Sequence, residues 1–280
     1  MISTSNISKR ARPLLGTIVE IGVQDLHEEI AQKFISDAFA QIERIQRSMS
    51  RYDDRSEVNK INGLGVNADL VVSSDLWAVL DLAQDISRRS EGVFSICIEG
   101  EINGDLLRLM DGDRVLRLQT GLIDLGGIAK GYAVDQAIES LKGWGVESAY
   151  VNAGGDVRAF GKPYPIFVRH PLRPHESVAS LDIVDAAFAT SASYQQHAKY
   201  NQSGTIIDPR SKQPVAAGAS ASVMASTCVV ADALAKCMLM MINEEGELLL
   251  SEFNAFGFLV QGEQVTSYPK TAEVMPNVAH

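Results

Sequence analysis

Apolar and polar residues alternate over residues 17–23 (TIVEIGV), with Val19, Ile21 and Val23 on one face, a period of two that predicts a half-buried strand. From about residue 27 to 49 the spacing changes to three and four. Ile30, Phe34, Ala38, Ile42, Ile45 and Met49 then form the apolar stripe of a long helix. A second helix is expected over about 75–88, behind Ser73 and Ser74 as cap candidates, and a third over 130–142 with Ala133, Val134, Ala137, Ile138 and Leu141 inward. Beyond that point short β-rich runs dominate: 148–153, 156–160, 165–169, 178–184, 187–200, 204–208, 220–226 and 256–261. The stretch SYQQHAKYNQSGTIIDP reads as a hairpin turning at residues 201–204, and two late helices are expected near 229–242 and 244–252. Short turns join most strands, so the pattern predicts one α+β domain over residues 1–280, a largely antiparallel sheet with packed helices.

Composition narrows the function classes. The 280 residues are 46% hydrophobic, enough for a substantial core, and carry a formal net charge of −10. An acidic balance argues against nucleic-acid binding, which draws on Lys and Arg to neutralise phosphates. Cys97, Cys228 and Cys237 have no metal-site or disulfide spacing and read as small core hydrophobes. No run has the length of a membrane span, and the N-terminal basic residues lead into an alternating pattern, not a signal-peptide core. The expectation is a cytoplasmic protein, or a periplasmic one if a leader precedes this sequence.

The chemistry concentrates in DLGGIAKGYAVDQA (124–137), which sets two glycines and a lysine at the mouth of a helix. Glycines let a backbone approach an anion closely, and a helix start offers unpaired N–H groups and a positive dipole end. NAGGD (152–156) is a second glycine turn, and neither GxxxxGK[ST] nor GxGxxG occurs.

Taken in order, LLGT (14–17), MSRYDDRSEVNKIN (49–62), EGVFS (91–95), DLGGIAKGYAVDQA, VNAGGDVRAFG (151–161), ATSASY (189–194), IIDPRSKQPV (206–215) and ASTCVVADALAK (225–236) resemble the FAD:protein FMN transferases, the ApbE-type flavin transferases. The resemblance implies a fold related to the tunnelling fold. It also implies bound FAD, Mg²⁺, and transfer of FMN to a Thr or Ser hydroxyl of a target flavoprotein carrying a short Thr-containing motif, with release of AMP. Carried over by position, Leu15, Tyr52, Val93, Phe94, Ser95, Asp124, Lys130 and Ile206 are cofactor-binding positions, and Gly127 and Asp232 are metal-binding. Lys130 and Thr205 fall at catalytic positions. Alternatives are a diverged protein that binds FAD or another nucleotide without transferase activity and an enzyme that hydrolyses the FAD pyrophosphate.

Four positions depart from the family pattern. Ser95 stands where Asp is common, Ala192 where Gly is usual, and Thr205 where a His often precedes IIDP. Lys236 takes the place of a metal-site Thr. An ammonium cannot ligate Mg²⁺. Its charge can replace the metal, pairing with Asp232 or a phosphate, or form an i,i+4 helix pair with Asp232. Among the histidines, His170 and His175 are expected on an exposed Pro-broken loop, and His197 is expected opposite Asp208 across the hairpin.

Overall fold

The computed structural model describes residues 7–100, 104–173, 175–193, 206–215, 218–241, 244–269 and 277–278. Strands β1 (Ile7–Leu14) and β2 (Thr17–Gln24) form a hairpin. The two turn residues, Leu15 and Gly16, both have positive φ (55° and 71°), the twist that suits a two-residue hairpin. Leu15 holds this otherwise unfavourable backbone partly because its N–H donates to Gln46 Oε1 at 2.6 Å.

Gln46 lies on α1 (Glu28–Met49), whose buried stripe runs through Ala31, Ile35, Ala38, Phe39, Ile42, Ile45 and Met49. The stripe is thus rotated from the sequence expectation at its start. Ile30 is exposed, and Phe34 is half-buried and stacked on Trp144 with ring centroids 5.1 Å apart. Small Ala31 and Ala38 face inward because α1 packs along α4 (Ala129–Gly143), and short side chains permit that approach. Helix α2 (Glu57–Asn62), which the periodicity did not reveal, starts at Ser56, whose side chain accepts from the Asn59 N–H. The cap expected at Ser73 is present on α3 (Ser74–Arg89), accepting from the Leu76 N–H.

The main sheet has eight strands in the order β1-β2-β8-β9-β12-β13-β14-β15, and its neighbours pair antiparallel. The six further strands are β8 (Ala149–Ala153), β9 (Asp156–Phe160), β12 (Ala186–Ala192), β13 (Ala219–Ala225), β14 (Phe256–Gln261) and β15 (Gln264–Tyr268). Their alternation divides the core. Ala149, Val151, Ala187, Ala189, Ala221, Val223 and Leu259 face the helices, among them α5 (Cys228–Met238) and α6 (Glu244–Glu252). Tyr150, Val157, Phe188, Phe258 and Val260 face away, with Ile166 and Val168 of β10 (Tyr164–Arg169) and Ala179 and Ile183 of β11 (Ser177–Ile183). Both faces of the main sheet are therefore buried, and its strands read as apolar runs more than as alternating ones.

Smaller pieces complete the chain: β3 (Asp69–Val71), β5 (Leu107–Met110) and β6 (Arg114–Arg117) form one sheet. Strands β4 (Cys97–Glu99) and β7 (Leu122–Ile123) form another, and β16 (Asn277–Val278) pairs with β11. The hairpin expected at 201–204, together with Thr205 and His197, lies outside the described residues. Residues 206–215 make local contacts. Ile207 bridges Pro214, the Asp208 N–H donates to Gln213 O, and Asp208 Oδ1 accepts from the Arg210 N–H. An Asp side chain that captures the N–H two residues on makes its own tight turn.

Candidate active site

The antiparallel registers bring the sequence blocks to one end of the sheet. Leu14 pairs with Thr17 beside the Leu15–Gly16 turn, and Ala153 pairs with Asp156 around Gly154–Gly155. The two turns touch: a Cβ on Gly154 would fall 2.4 Å from Thr17 Oγ1, and φ is positive at both glycines (67° and 106°). Thr190–Ala192 ends β12 at this same edge, pairing with the start of β13, and Thr190 Oγ1 lies 2.8 Å from Ser222 Oγ.

Helices α4 and α5 run antiparallel across this end, so residues four apart on one meet residues four apart on the other. Asp135 accepts from the Cys228 and Val229 N–H groups at 2.9 and 2.8 Å, capping α5, which has no side-chain cap of its own. Arg158 Nη1 holds the same carboxylate at 3.0 Å. Burial pushes the Asp135 carboxyl up, against the pull of Arg158 and the two N–H donors. One turn along, the Gly131 N–H donates to Asp232 Oδ2 at 3.1 Å. Gly131 is obligatory here, because a Cβ would stand 2.4 Å from Cys228 O.

The last rung carries the chemistry. Lys236 Nζ donates to Asp232 Oδ1 and, at 3.1 Å, to Asp232 O, while its stem passes Gly127, where a Cβ would lie 3.5 Å from Lys236 Cδ. Lys130, on the first turn of α4, pairs with the buried Asp156. Burial pushes the Lys130 ammonium below its ordinary 10.5; Asp232 opposes that shift and Lys236 reinforces it. Burial pushes the Asp232 carboxyl up, but Lys236, Lys130 and the Gly131 N–H outweigh it and hold the group below its ordinary value. Ile128 offers no side-chain cap to α4; the Ala129 N–H is taken by Leu125 O at 2.8 Å, and Asp232 receives the Gly131 N–H, so the carboxylate of α5 closes part of the first turn of α4.

The other predicted positions divide by depth. Asp124 Oδ1 accepts from the Gly126 N–H at 2.8 Å, shaping the glycine loop, and Asp124 Oδ2 pairs with Arg51 Nε at 3.0 Å. The Arg51 guanidinium covers one face of the Tyr52 ring, 4.7 Å from its centre, and the ring is 78% exposed. Leu15 and Ile206 are half-buried at the core's edge. Val93 and Phe94 are buried within the core, and Phe94 backs the loop at Gly127. Ser95 Oγ accepts from the Cys97 N–H at 3.1 Å and lines a separate cleft with Gln84, Ser87, Cys97, Leu107 and Ile123. His170 is buried, not exposed: its Nδ1 accepts from the Leu172 and Arg173 N–H groups, so the ring closes the Pro-broken loop that it begins. His175 is exposed as expected.

The family described as the ApbE family matches residues 15–257 of this sequence. The chain belongs to the ApbE family. A relative from Vibrio cholerae named FAD:protein FMN transferase is 25% identical over 257 residues, spanning 78% of this chain and 76% of its own. One of the same name from Haemophilus influenzae is 26% identical over 270 residues, spanning 81% and 75%. The solved flavin transferase ApbE from Vibrio cholerae superposes with a TM-score of 0.80 at 20% identity, over 95% of this chain and 98% of that one. The ApbE protein from Thermotoga maritima gives 0.80 at 24% identity, over 94% and 97%. These superpositions establish an ApbE fold.

Reasoning from the sequence missed two residues that the fold ties to the predicted positions, Arg51 and Asp135. Both stand inside the quoted blocks, but their roles depend on a partner 73 or more residues away (Asp124 for Arg51, Cys228 for Asp135) that only the fold supplies. Among the described residues no cluster of three or more His, Cys, Asp or Glu side chains could hold a metal ion, and no helix is long and apolar enough to cross a membrane. The positions that correspond to a Mg²⁺ site do not fit that ion. Mg²⁺ demands near-octahedral oxygen ligands; Asp232 Oδ1 is taken by an ammonium, Oδ2 by a backbone N–H, and Lys236 offers no lone pair.

Proposed function

We propose that this protein is an FAD:protein FMN transferase, with residues 1–280 acting as one unit. FAD binds at the end of the sheet where α4 begins, with its diphosphate on the glycine loop and the Lys130 ammonium and its flavin towards Tyr52, Arg51 and Leu15. A Thr or Ser hydroxyl of a target flavoprotein attacks the FMN phosphorus. The bond to the bridging oxygen breaks, AMP leaves with that oxygen, and the hydroxyl proton passes to water. Phosphoryl chemistry of this kind needs positioning and charge stabilisation more than covalent help from the protein.

The observation that carries the reading is the pair of ammonium groups, Lys130 and Lys236, acting on Asp232 at the start of α4, where the Gly127 loop and the helix meet. A diphosphate is the ligand class that two cations, glycine backbone and helix N–H groups serve together. The relatives' shared name agrees with it. Lys130 takes a catalytic role, stabilising charge on the phosphate; Thr205, at the other catalytic position, has no imidazole to serve as base. The test is product analysis after incubation with FAD and a Thr-bearing acceptor flavoprotein. FMN joined to the acceptor, with AMP in equal amount, is expected. Free FMN plus AMP would replace transfer by hydrolysis, and unchanged FAD would reduce the protein to a binder.

A further inference from the structure

Asp232 is 2% exposed, and a carboxylate that deep requires a permanent partner. Its partner is Lys236, so the two are not an ordinary solvated i,i+4 pair on a helix face. The lysine is also aimed. Its stem lies along Gly127 and its head reaches both the side chain and the carbonyl of Asp232, which places a positive charge at the junction of the glycine loop and the α5 carboxylate. An ammonium has three N–H groups. Two are used on Asp232, and 22% of the side chain remains accessible.

We propose that the protein carries its own cation. The Lys236 ammonium, fixed by Asp232 beside Gly127, stands where a divalent metal would and donates its remaining N–H to a phosphate oxygen of the FAD diphosphate. FAD binding and FMN transfer then need no Mg²⁺. The proposal rests on the transferase reading above, and it follows from charge balance. Lys130, Lys236, Asp156 and Asp232 already form two cations against two anions, and a dication added among them would meet two ammonium groups with no free carboxylate to receive it.

The experiment is an FAD titration of the full-length protein, read by flavin fluorescence, once in EDTA and once in millimolar Mg²⁺. The wild-type Kd should be the same in both, within about twofold. Lys236→Thr, which supplies an oxygen and removes the charge, should bind about 10- to 100-fold more weakly in EDTA and recover in Mg²⁺, the size expected for loss of a hydrogen bond to a charged group. Calorimetry should detect Mg²⁺ binding to Lys236→Thr and none to wild type. A wild-type affinity that collapses in EDTA and returns with Mg²⁺ would overturn the cation assignment while leaving the transferase reading standing. So would Lys236→Thr binding FAD in EDTA as tightly as wild type. Failure of the wild type to bind FAD in either condition would instead remove the transferase reading itself. The wild-type comparison uses no variant, so a folding defect in Lys236→Thr leaves it intact.

Discussion

At the residue scale, single charged side chains are committed to defined partners, and their removal has separable consequences. Lys130→Met should weaken FAD binding by about 10- to 100-fold, the loss of one charge-assisted contact. It also strands the buried Asp156, so the double variant Lys130→Met with Asp156→Asn should show the same binding loss with the fold restored; calorimetric titration of both checks this. Asp75 is a structural counterpart, accepting from the Tyr132 hydroxyl at 2.7 Å and pairing with Arg44. Burial pushes its carboxyl up, but Arg44 and Tyr132 hold it below the ordinary 3.8 in the folded state. A depressed folded-state value gives stability that is present above the unfolded value and lost as pH falls through the folded one. Urea unfolding should therefore show Asp75→Asn less stable than wild type by about 1 kcal/mol at neutral pH. The difference should shrink as pH drops below 3.8. Which residue types carry chemistry was legible at this scale: Asp124, Lys130, Asp232 and Lys236 were all named from their blocks, and the structure brings Lys130, Asp232 and Lys236 together. The burial of His170 was not legible, because a Pro-broken loop looks solvent-facing until its ring is seen to cap its own backbone.

At the element scale, the site depends on how closely α4 and α5 approach. Gly131→Ala would place a methyl 2.4 Å from Cys228 O and should force the helices apart. We expect a loss of about 1–3 kcal/mol, the cost of overpacking a tight interface. Gly143→Ala, at the open end of the same helix, meets nothing within 4 Å and should be neutral or slightly stabilising. Thermal melting of the two variants gives the contrast directly. Asp135→Ala removes the cap of α5 and one of the two carboxylates on Arg158, which keeps Glu139, and should cost about 1–3 kcal/mol in a chemical denaturation series. The long helices could be read from periodicity, with a cap at Ser73 for α3, and most main-sheet strands from short apolar runs bounded by turn residues. Strands β3 to β7 could not. They are two to four residues long, so too few positions exist for a period to declare itself, and β3 with β6 and β4 with β7 pair across distant segments.

At the scale of the whole molecule, the antiparallel order of the sheet explains why blocks spread from residue 14 to residue 236 act together: each hairpin returns its turn or strand end to one edge, where the start of α4 and the last turn of α5 meet. Covering both faces of that sheet leaves this edge as the place where backbone and charge stay open to a ligand. Sequence resemblance identified the blocks, but the convergence is a property of topology that no single block contains. The central claim is that FAD lies on this edge with its diphosphate between the glycine loop and the two lysines. A crystal structure of the protein with FAD tests it most directly. The account predicts phosphate oxygens within hydrogen-bond distance of Lys130 Nζ and Lys236 Nζ, with the flavin beside Tyr52. FAD bound instead in the Ser95–Leu107 cleft, with its diphosphate away from both lysines, would contradict it.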